Sequence, residues 1–423
     1  MNYIDLFAGA GGLSEGFRRQ GFDAVAHVEM NSNACMTLKT RACYQYLQEH
    51  GQIGQYYQYL RGQMTREQLY ANVPNEVTES VINVEISPET ITGIFDTIDC
   101  RIEQHPEWNG HVDLIIGGPP CQAYSMMGRA AKSAKDRDLT PEEIIEDPRN
   151  FLYKMYCRFL RKYHPDMFVF ENVPGILTAG KGKYFTNIKK YFRTLGYEVQ
   201  HRELNSSCYG VLQNRKRIII VGWQRERNHH YPELEEIEHD YTVNDILNDL
   251  PKLVPGQVGN GYRRTGQLSP YLQQFHIREI GDVLTQHEAR PQLDRDRRIY
   301  RKMIRAWNSD HTYMKYNDLP RSLKVYKETK NFADRFKIVE GDMPACHTMI
   351  AHIAKDGHYF IHPDISQARS ITVREAARIQ SFPDNYYFEG GRTAAFTQIG
   401  NAVPPLLAEA IARGILQQFQ EEE

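Results

Sequence analysis

The chain has 423 residues, 25% of them charged and 41% hydrophobic, with a formal net charge of −2. This composition excludes a disordered chain and a globally polybasic nucleic-acid binder, and it predicts a soluble globular protein of two domains whose anion-binding surfaces are local patches. Seven cysteines, at 35, 43, 100, 121, 157, 208 and 346, are scattered without a CxxC pair, which speaks against a disulfide framework or zinc knuckle and for a reducing cytosol. The first strand-like run begins within three residues, leaving no room for a signal peptide, and no apolar stretch is long enough to span a bilayer.

Tyr3-Ile4-Asp5-Leu6-Phe7 predicts a short strand, followed at once by the turn Ala8-Gly9-Ala10-Gly11-Gly12 and by a helix whose apolar side starts with Leu13 and Phe17. Strand, glycine turn and helix form the nucleotide-binding opening of a doubly wound α/β fold, in which glycines let a ligand approach the backbone. A second strand, Ala24-Val25-Ala26-His27-Val28, ends in Glu29, about 20 positions after the turn and placed for ribose hydroxyls. The turn reads G-x-G-G rather than G-x-G-x-x-G, which favours an adenosyl ligand without a pyrophosphate.

Residues 40–80 are rich in Gln and Tyr, with a capping box at Thr65 and Gln68. They are predicted to form a helical insertion packed on the main domain; the alternative is a set of tyrosines that stack on bases. Residues 81–84 predict a third strand ending at Glu85-Ile86-Ser87, and Val112-Asp113-Leu114-Ile115-Ile116 a fourth that stops in Gly117-Gly118-Pro119-Pro120-Cys121-Gln122. Two prolines fix φ and stiffen the loop that presents Cys121. That thiol is either a buried core cysteine or a nucleophile held at the carboxyl end of a strand, where open α/β sheets keep their chemistry. Residues 125–139 make a loop rich in Gly, Ala, Lys and Arg, either a lid or a plain surface loop. Helices are predicted to start at Thr140-Pro141 and Asp147-Pro148, the second with an apolar face from Phe151 to Leu160.

Met167-Phe168-Val169-Phe170 is the next buried strand, ending in Glu171-Asn172-Val173-Pro174. A strand-tip carboxylate is structural by default, but on a strand parallel to the one before Cys121 it can share a site with the thiol. A strand near Glu198-Val199-Gln200 precedes Gln213-Asn214-Arg215-Lys216-Arg217 and the strand Ile218-Ile219-Ile220-Val221; the basic cluster is either solvated or holds phosphates. Past residue 225 the strand–helix alternation fades and basic residues accumulate, at Arg295, Arg297, Arg298, Arg301, Lys302 and onward through Lys337. Any one run reads as a mixed-charge helix, whereas together they predict a second domain that faces nucleic acid. His347, His352, His358 and His362 lack the cysteine or carboxylate spacing of a zinc site, so no metal is expected. Thr372 to Glu375 is another capping box, and Gly400-Asn401-Ala402-Val403-Pro404-Pro405 leads into a terminal helix able to rejoin the first domain.

In this order the blocks resemble the DNA cytosine-C5 methyltransferases. Asp5 to Gly12 is similar to the family's cofactor-binding opening, Gly118-Pro119-Pro120-Cys121-Gln122 to its nucleophile loop and Glu171-Asn172-Val173 to its second catalytic motif. Gln213 to Arg217 resembles its Gln-x-Arg-x-Arg, Arg374 to Arg378 its late helix and Gly400 to Val403 its closing motif. The resemblance implies a doubly wound, Rossmann-like, S-adenosylmethionine-dependent catalytic domain over residues 1–229 with 395–423, and a smaller, irregular target-recognition domain with its hinge over 230–394. Cys121 would be the nucleophile that adds to cytosine C6. Glu171 would bond N3 and the exocyclic amine, Arg217 the O2 atom, and Arg215 would position nearby backbone. Phe7, Ala8, Gly9, Gly11 and Gly12 would cradle S-adenosylmethionine, with Glu29 on its ribose, Glu85 and Ile86 at the adenine, and Pro119, Asn401 and Val403 closing the pocket. Glu85 departs from the aspartate usual there, which lengthens the side chain facing the adenine amino group. Thr348 resembles a threonine that contacts backbone at the flipped nucleotide.

The implied partner is double-stranded DNA bound by a monomer, with no metal and no membrane, in a prokaryotic cytosol at the nucleoid. A restriction-modification or phage-protection role follows by analogy, with a cognate restriction endonuclease as possible companion. The rivals are a transfer-RNA cytosine-5 methyltransferase and a catalytically silent DNA-binding relative. A long second domain favours duplex DNA over RNA, and the complete set of reactive residues disfavours the silent reading.

Overall fold

Short apolar runs separated by glycine turns and helix-forming stretches can bury both faces only as adjacent parallel strands covered by helices, and the computed structural model has that arrangement. It describes residues 1–119, 152–263, 268–324 and 333–421. Cys121, the 125–139 loop, the helix starts at Thr140 and Asp147, Tyr326, Phe332, Lys327 and Lys330 lie outside the described residues.

The strands are β1 (Asn2–Leu6), β2 (Asp23–Glu29), β3 (Val81–Asn83), β4 (Leu114–Gly117), β5 (Met167–Asn172), β6 (Tyr197–Asn205) and β7 (Lys216–Gln224). They form one sheet in the order β3-β2-β1-β4-β5-β7-β6. The first five are mutually parallel, and the chain changes its winding direction between β1 and β4, the place where such sheets open a crevice. Each predicted strand is present, but β7 runs antiparallel to both β5 and β6. The connection from β6 to β7 holds only a single 3-10 turn, Ser206–Cys208, too short for the crossover that a parallel neighbour needs.

Along the chain the helices are α1 (Gly12–Arg19), α2 (Ser32–Glu49), α3 (Gly54–Leu60), α4 (Arg66–Ala71), α5 (Asn75–Glu79), α6 (Ile91–Gln104) and α7 (Leu152–Tyr163). There follow α8 (Lys183–Thr194), α9 (Pro270–Gln274), α10 (Asp294–Asp310), α11 (Val373–Ile379), α12 (Arg392–Asn401) and α13 (Pro405–Gln420). One face of the sheet is covered by α6, α7 and α8 through Ile94, Ile98, Phe159, Leu160, Ile188 and Phe192. The other is covered by α1 and α13 through Leu13, Phe17, Leu407, Ile411 and Ile415. The terminal helix lies so close to α1 that a Cβ at Gly16 would sit 2.3 Å from the Glu409 nitrogen, so only glycine allows this approach.

The capping boxes at Thr65 and Thr372 form as predicted. The tyrosines of the insertion are packing residues: Tyr44, Tyr56, Leu47 and Leu69 share a small core. Their hydroxyls bind a distant segment, Tyr56 donating to the Asn385 carbonyl (2.7 Å) and Tyr59 to Glu389 (2.5 Å). The later half of the chain builds two further apolar clusters. One joins Val243, Ile246, Ile277, Met349, Ile379 and Phe382 to Ala10 of the glycine turn, and the other seats α10 on Phe336, Ile338 and Ile361. No helix among the described residues is long and apolar enough to cross a membrane.

Candidate active site

The carboxyl ends of β1, β2, β4 and β5 converge with the turn after α12. β1 stops at Phe7, whose φ of 58° turns the chain sharply, and Gly9 and Gly11 continue in the left-handed region, which glycine enters at little cost. A Cβ at Gly12 would meet the Val403 carbonyl at 2.2 Å, so the opening and closing motifs are in direct contact. Phe382 lies under the same glycine, and the Tyr386 hydroxyl donates to the Ala10 carbonyl. Sequence reasoning missed both braces; they lie some 370 residues from the turn and carry no local signal.

Glu29 accepts hydrogen bonds from the backbone N–H of Gly9 (2.8 Å) and Asn31 (2.7 Å). One carboxylate thus ties the glycine turn to the first turn of α2. Val84 donates to the Glu29 carbonyl, which brings the β3 end alongside; Ile86 is buried there and Glu85 is exposed. Asn401 is exposed at the end of α12, while Pro119 and Val403 are buried.

Beneath the turn, Asp5 is buried with one carboxylate oxygen lacking a hydrogen-bond partner. Burial, reinforced by the nearby Glu29 charge, pushes its carboxyl well above the usual range. Its register partner His27 is buried too and bonded to Ser14, which also bonds Tyr3. Burial, with Arg18 and Arg101 nearby, pushes the His27 imidazole down to about 3, and burial pushes His362 down to about 4.

These neutral histidines make stability depend on pH in a defined direction. Between pH 3 and 6.5 the unfolded imidazole binds a proton that the folded one refuses, so stability is complete above pH 6.5 and declines as pH falls. Each such histidine contributes up to about 1.4 kcal/mol per pH unit in that window. Urea unfolding at pH 7.5 and 5.0 is expected to show the loss, and His27→Gln to reduce the slope; equal slopes would refute the assignment.

On the other side of the crevice, Gly117 has a φ of 151°, and a Cβ there would lie 2.1 Å from the Leu6 carbonyl. At Gly118 a Cβ would lie 2.5 Å from Glu171 Oε2, so the start of the loop that leads to Cys121 passes directly over the carboxylate at the β5 end. Glu171 pairs with Arg217 Nε at 2.6 Å, both side chains being only 15% and 10% exposed. Alternation along β7 puts Arg217 on the same face as Ile219, whose register partner is Glu171.

Arg215 is fully buried and donates to the carbonyls of Met349 (2.5 Å) and Gly400 (2.9 Å). Burial and the like charge of Arg217 push its guanidinium well below the usual range. Gln213 accepts from the Met349 N–H (2.7 Å) and donates to Gln380 (3.1 Å), and Thr348 donates to the Asn214 carbonyl. The five-residue block therefore divides: Gln213 and Arg215 bind backbone of the later half to the sheet, and Arg217 faces the crevice.

The histidines of the 347–362 segment are spread over separate networks, His347 with Glu340, His358 with Tyr300 and His362 with Glu375. Among the described residues, the one histidine–carboxylate group close enough to share an ion is His111, Asp113 and Asp166. It lies where β4 and β5 begin, at the opposite edge of the sheet, and Asp166 there already pairs with Arg227.

Comparison with known proteins agrees with this geometry. The family model for C-5 cytosine-specific DNA methylase matches residues 1–58 and 85–417, leaving out most of the insertion. The chain is 42% identical to the type II methyltransferase M.Bpa9945I of Bacillus paralicheniformis, over 98% of each chain. It is 31% identical to the type II methyltransferase M1.HphI of Haemophilus parahaemolyticus, over 99% of this chain and 87% of the relative. In fold it is similar to a crystal structure described as a DNA modification methyltransferase encoded within an E. coli prophage. That match has a TM-score of 0.63 and 22% identity, and it covers 99% of each chain.

Proposed function

The chain belongs to the C-5 cytosine-specific DNA methylase family, and from that premise we propose that it methylates C5 of a flipped cytosine within one short sequence of double-stranded DNA. The observation that carries this reading is the Glu171–Arg217 pair beneath Gly118. A carboxylate and a guanidinium then sit side by side beneath Gly118, which precedes Cys121 of the Pro-Pro-Cys loop by three residues.

Cytosine C5 is a poor nucleophile until a thiolate adds to C6 and turns the ring into an enamine. Cys121 supplies that thiolate. Glu171 hydrogen-bonds N3 and the exocyclic amine, favouring a protonated N3 as thiolate addition pushes electrons into the ring, and Arg217 holds both Glu171 and the base O2. Once C5 carries the methyl group, a base takes the C5 proton, the C5–C6 double bond re-forms, and the C6–S bond breaks to release Cys121 as the thiolate. Arg215 acts through position alone, anchoring the backbone of Met349 and Gly400. A base can reach this crevice only outside the duplex stack, at a cost of a few kcal/mol.

The crevice fits S-adenosylmethionine, which supplies a methyl group on a sulfonium. Its cationic sulfonium and ammonium suit a glycine turn with Asp5 beneath it, a buried carboxyl with an unpartnered oxygen. Glu29 would offer lone pairs to ribose hydroxyls, Glu85 and Ile86 would meet the adenine, and Phe7, Ala8, Gly9, Gly11, Gly12, Pro119, Asn401 and Val403 would complete the enclosure. Residues 1–229 with 395–423 form the catalytic unit and 230–394 the target-recognition unit and hinge, in an enzyme that acts as a monomer on DNA in the bacterial cytosol. A modification role beside a cognate endonuclease accords with the type II methyltransferases it resembles.

Bisulfite sequencing of plasmid DNA from cells with and without the expressed chain tests the reading. Protected cytosines confined to one motif are expected in expressing cells alone. Unmodified DNA with methylated transfer RNA would transfer the activity to RNA, and silence in both pools would leave a binding protein.

A further inference from the structure

Between residues 290 and 324 the chain carries ten arginines and lysines against four aspartates, although the whole protein is slightly acidic. Four of the ten, Arg298, Arg301, Lys302 and Arg305, recur at helical spacing on α10 and lie within about 100° of one another around its axis. The opposite side of α10, with Ile299, Met303, Ile304 and Trp307, is buried against Phe336 and Ile338. The basic stripe therefore points away from the protein, with Arg298 and Arg305 exposed. None of the four has a carboxylate partner among the described residues, although Arg295 and Arg297 of the same helix are paired.

A solvated helix face normally alternates its charges. Here the one carboxylate on that face, Asp294, pairs with Arg297, and from Arg298 onward every i+3 or i+4 neighbour within the stripe is another cation, an arrangement that destabilises a helix by about 0.2–0.5 kcal/mol per pair. An anionic partner removes that penalty. The helix is also tied to the crevice. Trp307 donates to Asp342 (2.8 Å) at the start of the strip 342–349, and that strip ends at Thr348 and Met349 against Asn214 and Arg215.

We propose that the stripe on α10 is a phosphate-binding track that grips the backbone of duplex DNA beside the recognised bases. It contributes affinity that does not depend on sequence. The proposal rests on the function above, since it takes the crevice as the site of a cytosine drawn from that duplex. Cationic side chains that neutralise phosphates release counterions, so each contact steepens the fall of affinity with salt by about 0.9 in the logarithmic slope.

The test compares the wild-type chain with R298Q/R301Q/K302Q/R305Q, using a 40-base-pair duplex that contains the methylated motif, in 50–250 mM KCl. The expected result is a slope shallower by about 2–4, a raised KM for DNA, and an unchanged kcat at saturating DNA on the same cytosine. R298Q/R305Q, confined to the two exposed positions, is expected to lose about 1–2 of the slope, and R298K/R301K/R305K to keep it. An unchanged slope in a glutamine variant that melts like the wild type and still methylates would overturn the track while leaving the function intact. A wild-type chain that binds this duplex yet methylates no cytosine in it would sink the proposed function, with the slope still reporting on α10.

Discussion

Glu171→Gln is expected to lower kcat for cytosine methylation by about 10²–10⁴, the range that a positioned proton-transfer group supplies, while DNA affinity changes little. The amide keeps the shape of the side chain and an oxygen able to accept from Arg217, which approaches to 2.6 Å. What it loses is the negative charge that stabilises a protonated N3. Room to relax is also absent, because Gly118 lies against the Oε2 position. Pre-steady-state methylation with saturating duplex and cofactor separates the outcomes. A fall in the single-turnover rate with unchanged Kd supports the assignment, and a rate within threefold of wild type contradicts it. Cys121→Ala in the same assay is expected to abolish turnover, since without thiolate addition at C6 the C5 atom stays too poor a nucleophile to take the methyl group.

Arg378→Met is expected to destabilise the protein by about 3–5 kcal/mol, the cost of stranding a buried charge. Arg378 is almost wholly buried and bonds both Asp384 (2.8 and 2.5 Å) and Asp249 (2.5 Å). The network extends through Arg278 on Asp249 and Tyr262 on Asp384. Burial works to raise the Asp384 carboxyl, and Arg378, with help from Arg374 and Tyr262, holds it below its usual range, so deleting the guanidinium leaves the aspartate to bear the cost of burial without its main partner. Pairing Arg378→Met with Asp384→Asn is expected to recover part of the loss, because the second change removes the stranded charge. Urea unfolding of the single and double variants measures both values. A cost below about 1 kcal/mol for the single change would mean that water reaches this network.

The ion network and the crevice differ in how far they could be read beforehand. All seven strands were legible, because a buried strand announces itself as a short apolar run between glycines and charges. So were the capping boxes at Thr65 and Thr372, which depend on residues three apart. The position of Glu29 was readable for a related reason, since a strand of predictable length carries it back to the level of the glycine turn, whereas its hydrogen bond from Gly9 was not foreseen. The antiparallel course of β7 was not announced by its apolar run, since either direction buries Ile218 to Val221 equally well; the short connection after Asn205 decides it.

From the sequence alone came the α/β class and the order of the motifs, which rest on local periodicity or on short blocks of fixed spacing, and, through the resemblance, the candidate residues of the crevice. Only the tertiary structure decided which arginine meets Glu171, because Arg215 and Arg217 have the same parity and the same charge. The carbonyls of Met349 and Gly400 take Arg215 and leave Arg217 to the crevice. The same holds for Tyr386 beneath the glycine turn and for the insertion docked on Asn385 and Glu389. Each depends on surfaces brought together from hundreds of residues apart, and packing of that range leaves no period or motif in the chain that records it.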